Sequence, residues 1–162
     1  MVNFISEEMN EEMNNQIVEE LRSGYIYLGM SAWAEEQGLH NLAKFMKIHA
    51  ETEEYEHAMK FVKYIQEAGG TVRYGEIQAI PEEYDDVENL LKEAIKHEEH
   101  ITERIEILVD LAKEKEEIYA MELLNWFLEE QMEEENLFEE LLNQYILSGK
   151  RLGFWDSHIE HP

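Results

Sequence analysis

A chain of 162 residues with 44% hydrophobic residues is long enough for one domain with its own core, and too apolar to be a disordered acidic tail. A formal net charge of -25 makes nucleic acid and anionic membrane poor partners, since both need basic patches, and makes cations the natural ones. The absence of cysteine excludes disulfides, thiolate metal sites and cysteine nucleophiles.

With only 2 Pro and 8 Gly, and with Leu, Glu, Lys, Ala and Met plentiful, the chain reads as long helices. The first is predicted from Ser6, a suitable N-cap, to the break at Gln37-Gly38. The second runs from about Asn41 to the Gly69-Gly70 stop, the third from near Asp86 to about Lys113, and the fourth from near Glu116 to Gly149. Each is about 40 to 50 Å long. Short turns make the first and second helices antiparallel, and likewise the third and fourth. Between these pairs, Gly70 to Asp85 has no helical period and, when extended, reaches about 50 Å. The second and third helices are then parallel. Bundle residues span about 6–148, and the tail, 149–162, has room for a short last helix from Phe154-Trp155 to His158-Ile159. No basic segment leads into an apolar run and no apolar stretch is long enough to span a bilayer, so a cytoplasmic protein is expected. The fold class is all-α, a single domain built as a four-helix bundle with one long crossover.

A bundle requires an apolar residue every three or four positions. The first stripe reads Met13, Ile17, Glu20, Gly24, Tyr27; the third Leu91, Ala94, Glu98, Ile101; the fourth Leu124, Phe127, Gln131, Glu134, Phe138. The second has two parts that differ by one residue. Leu42, Met46 and His49 call for Glu53 next, whereas Ala50, His57, Phe61 and Tyr64 call for Glu54. A one-residue π-bulge near Ala50 to Thr52 reconciles them.

Every interruption falls near the middle of its helix, and the midpoints of helices packed side by side share one height. Glu20, Glu54, His57, Glu98, Gln131 and Glu134 are therefore expected in one layer. Uncompensated carboxylates in a core cost several kcal/mol each. No Lys or Arg stands in those stripes at that height, so a buried layer calls for metal. Carboxylate oxygen with an imidazole suits Fe(II), Mn(II) or Zn(II). Glu54 and His57, three residues apart, share a helix face and can hold one ion together.

These residues resemble the haem-free ferritins of bacteria and archaea. The resemblance runs from Asn14 to about Gly149 and is most specific at Met30-Ser31-Ala32-Trp33, Lys96-His97-Glu98 and Trp126-Phe127 through Glu135. Bacterioferritins and rubrerythrins carry a second Glu-x-x-His on the fourth helix. This chain has Gln131-Met132-Glu133-Glu134 there, as the haem-free ferritins do. Tyr55 stands where bacterioferritins place a haem-binding Met, so no haem is expected.

The resemblance implies a ferroxidase and iron-storage subunit that oxidises Fe(II) with dioxygen and assembles with copies of itself into a 24-subunit cage. It implies that Glu20, Glu54 and His57 hold the first iron, and that Glu54, Glu98 and Glu134 hold the second. Gln131 would lie beside the oxygen site and Tyr27 next to the centre. A third iron would lie at Glu53, Glu130, Glu133 and Glu134. Two other readings remain open: a non-storage di-iron or manganese peroxidase of the rubrerythrin-like class, and a metal-free acidic scaffold.

Overall fold

The computed structural model describes residues 2–160, and among them there is no strand. The helices are α1 (Glu7–Glu36), α2 (His40–Ile48), α3 (Tyr55–Glu67), α4 (Val87–Glu114), α5 (Ile118–Leu147) and α6 (Leu152–Ser157). A π-helical turn, His49–Glu54, joins α2 to α3 in one continuous rod. That rod, α1, α4 and α5 form a four-helix bundle, as the stripe pattern predicts. No helix among the described residues is long and apolar enough to cross a membrane.

Local chemistry sets the ends. Ser6 Oγ accepts from the Met9 amide (3.2 Å), and Asp86 Oδ1 accepts from the Asn89 amide (2.7 Å), so α1 and α4 start on side-chain caps. The Gly69 stop has φ +87°, and a Cβ there would fall 2.0 Å from the Val2 carbonyl oxygen, so only glycine fits. The last two helices differ from expectation in their starts. Glu116 sits at φ 54°, outside the helical region, and α5 begins two residues beyond it. The short last helix likewise starts at Leu152 rather than Phe154, directly after the left-handed Lys150 (φ 58°) has turned the chain.

The crossover is fastened along α1. Asn10 Oδ1 accepts from the Thr71 amide, Asn14 Nδ2 donates to the Thr71 carbonyl, and Arg22 donates to the Ala79 carbonyl. Ile80 lies over Gly29. The connector therefore travels from the start of α1 towards its end.

The core falls into two apolar clusters. One gathers Met9, Ile17, Phe61, Ile105, Leu124 and Phe127. The other gathers Met30, Leu42, Met46, Leu90, Phe138 and Trp155. Between them lies a buried polar layer.

The π turn sits at the height of that layer. Five residues apart in a regular helix are rotated by about 140°, yet His49 and Glu54 are both buried and hydrogen-bonded to each other. Widening the turn by one residue brings them to one face, which is the slip read from the two stripes. The Thr52 hydroxyl donates to the Ile48 carbonyl (2.7 Å) at the start of the turn. Gly24 faces it from α1, where even a methyl group would touch the Ala50 carbonyl and Glu54 Cβ at 3.5 Å.

The tail closes one end of the bundle. No side chain of its own caps α2, which follows Leu39. Asp156 does so from α6, accepting from the amides of Asn41 (3.2 Å) and Leu42 (2.8 Å). Trp155 packs beside on Tyr145. Replacing Asp156 by Ala is expected to cost about 1 to 2 kcal/mol, the usual loss of an N-cap, and Asp156→Asn less. Denaturant unfolding of the metal-free protein measures both, and equal stability of Asp156→Ala and the parent would contradict the capping role.

Candidate metal centre

The layer is built from the middle of each long rod. α1 supplies Glu20, the π turn His49 and Glu54, α3 His57, α4 Glu98, and α5 Gln131 and Glu134. All seven are buried, none more than 4% exposed. The structure thus gathers the whole layer expected from the stripes and adds His49, which stripe position alone marks only as a core residue.

Three groups of donors each lie within 4.8 Å: Glu20, Glu54 and His57; His49, Glu54, Glu98 and Glu134; and Glu53, His57, Glu130 and Glu134. Glu54 belongs to the first two groups and Glu134 to the last two. His57 Nδ1 faces Glu20 and Glu54, each at 3.7 Å, while Nε2 faces Glu130 at 3.4 Å and Glu53 at 3.9 Å. The third group opens outward, with Glu53 and Glu130 only partly covered. Glu133 is exposed and stands outside all three.

Neighbours orient the carboxylates. Tyr27 Oη donates to Glu98 Oε1 (2.5 Å), and Gln131 Nε2 donates to Glu98 Oε2 (3.0 Å). Gln131 is therefore tied to a carboxylate of the layer. Gln16 Nε2 donates to Glu20 Oε1 (3.0 Å) while Gln16 Oε1 accepts from Arg104 Nε (2.9 Å), a relay that brings a cation near Glu20 without contact. Arg104 stands outside the stripes and acts on the layer only through Gln16. Aromatic edges and faces surround both imidazoles: Tyr27, Phe45 and Phe138 around His49, Trp126 and Phe127 around His57.

Burial and mutual charge set the proton affinities. Burial pushes Glu20 up to about 7, against the pull of His57. Glu98 is raised further by burial and by the charges of Glu54 and Glu134. Glu134 is also raised by burial. Burial opposes charge on Glu54 too, but the two imidazoles outweigh it and hold this carboxyl well below the usual range. The same pairing overcomes burial at the imidazoles, lifting His57 to about 12 and His49 well above its ordinary value.

Even so, Glu20 Oε2, Glu134 Oε2 and both ring nitrogens of His57 have no hydrogen-bond partner although they are buried. Such atoms are costly in a native core. Convergent carboxylate oxygens and imidazole nitrogens left without partners fit divalent metal of the borderline class.

A model of the ferritin-like domain matches residues 10–147. The chain belongs to this family. It is 35% identical over 147 residues to a probable bacterial non-heme ferritin-like protein of Haemophilus influenzae, covering 91% of this chain and 88% of that one. It is 32% identical to a bacterial non-heme ferritin of Escherichia coli over the same shares. An open-pore ferritin of the hyperthermophilic archaeon Archaeoglobus fulgidus superposes with a TM-score of 0.91 at 32% identity, covering 94% of this chain and 96% of that one.

A pH dependence follows. His57, lifted to about 12, carries a proton at neutral pH when no metal is bound, so a metal that takes its ring nitrogen displaces that proton. Filling the centre with Zn(II) at pH 7 is expected to release on the order of one proton or more per subunit. Affinity should fall as pH is lowered, because protonated carboxyls and imidazoles compete. Calorimetry in buffers of different ionisation enthalpy counts the protons, and uptake without release would contradict this account.

Proposed function

We propose that the chain is the subunit of an iron-storage ferritin that oxidises Fe(II) with dioxygen and keeps the ferric product as mineral inside a 24-subunit, haem-free cage in the cytoplasm. Family membership and the relatives' names support iron handling. The observation that carries the reading to this chain is the buried layer of convergent carboxylate and imidazole groups, in which atoms of Glu20, Glu134 and His57 are left without partners and Glu54 is common to two groups.

Fe(II) is the substrate. Glu20, Glu54 and His57 hold one ion, and Glu54, Glu98 and Glu134 hold a second, with Glu54 common to both. Each Fe(II) gives up one electron, and one dioxygen accepts the pair. Two adjacent ions thereby supply what one cannot. Tyr27 and Gln131 keep Glu98 in place by donating to its two oxygens. The apolar clusters above and below the layer exclude bulk water. Glu53 and Glu130, with Glu134, form the outer station through which ferric iron leaves, and Glu133 lies beside that path. The chain's acidity draws cations towards the protein.

Aerobic addition of Fe(II) to the purified protein tests this. Ferric absorbance should rise rapidly, the particle should weigh hundreds of kilodaltons, and far more iron should remain bound than the central positions can hold. Glu54→Ala should slow initial oxidation on the order of 100-fold, since it removes the shared ligand. A dimer that consumes peroxide and retains no mineral would favour the rubrerythrin-like alternative instead.

A further inference from the structure

We propose that His49 is a metal ligand, so that the second central position is made of His49, Glu54, Glu98 and Glu134 and each of the two positions carries one imidazole. This rests on the ferroxidase reading above and deepens it. That reading leaves His49 without a role, although the backbone departs from a regular helix to deliver it.

Geometry makes the first case. His49 Nε2 lies 2.9 Å from Glu134 Oε2 and 3.1 Å from Glu54 Oε1. Ligands at right angles around an ion, with bonds of about 2.1 Å, are about 3.0 Å apart. The spacing is therefore that of neighbouring ligands on one ion. Glu98 completes the set, with all four donor atoms within 4.8 Å.

Hydrogen-bond accounting makes the second. Nε2 carries at most one proton and faces two carboxylates. It donates to Glu54, and Glu134 Oε2 is left buried with no hydrogen-bond partner. One proton cannot satisfy both oxygens. A cation between them satisfies the nitrogen and the oxygens together.

The third is the local backbone. Only the widened turn His49–Glu54 puts residues five apart on one face. The ring is then fixed by the edge of Tyr27 at 5.0 Å, the face of Phe45 at 6.3 Å and the edge contact with Phe138 at 5.3 Å, so its nitrogen stays aimed at the carboxylates. An imidazole at the second position also shifts its preference towards Fe(II), Co(II) and Zn(II) and away from Mg(II) and Ca(II), which suit oxygen alone.

Zn(II) alone is the probe, in the intact assembly carrying Glu53→Gln and Glu130→Gln so that the outer group is silenced. X-ray absorption of the protein with two zinc ions per subunit should show about one imidazole per zinc; about half an imidazole per zinc, the contribution of His57 alone, would overturn the assignment. In calorimetry, His49→Gln should weaken one of the two equivalents at least about tenfold and leave the other in place. Unchanged affinity for both equivalents in a folded His49→Gln assembly would count equally against it. If the parent bound no zinc that Glu54→Ala abolishes, the ferroxidase reading itself would fall and take this assignment with it. Two equivalents with no His49 dependence would remove the assignment alone.

Discussion

Four carboxylates and two imidazoles are shut into the middle of a bundle whose two halves are otherwise apolar. A core made only of hydrophobic residues would be the more stable solution, since removing charges from water costs several kcal/mol per ion unless something compensates. The two histidines compensate in part by carrying protons and pairing with the carboxylates that flank them. They leave buried oxygens and nitrogens without partners, and that shortfall defines what the layer is for. Helix ends, crossover and aromatic packing all serve to hold six donors at one height.

Support for the donors is spread over the fold. Glu98 is gripped from α1 by Tyr27 and from α5 by Gln131, and Glu20 is steadied by a relay through Gln16 to Arg104 on α4. Glu98 is thus oriented by side chains of neighbouring helices, and Glu20 by its own helix together with a neighbour. Displacing one helix against another would disturb several carboxylates at once, which ties the precision of the site to the packing of the bundle.

Much of this was legible in the sequence because helical periodicity is a strong signal. Glu20, Glu98 and Glu134 interrupt apolar stripes, and the breaks at Gln37-Gly38 and Gly69-Gly70 mark where rods end. The phase slip between Leu42-Met46-His49 and Glu54-His57-Phe61 gave away the widened turn. What it could not show was the partner of His49. In an unbroken helix that residue faces about 140° away from Glu54, and only the backbone reveals where the extra residue is absorbed. Arg104 escaped notice because its influence passes through a neutral amide. Glu133 enters the third site only through the family resemblance; positions 130 and 134, four apart, share a face, and 133 is exposed.

The strap between α3 and α4 bears on how the molecule assembles. Each antiparallel pair closes through local contacts and can form quickly on its own, whereas bringing the pairs together is a long-range event limited by chain topology. The layer belongs to that second event, because Glu20 and Glu54 come from one pair and Glu98 and Glu134 from the other. Asn10, Asn14 and Arg22 hold the strap along α1. The donor layer thus exists only where one hairpin lies upon the other, and the strap sets how the two are joined.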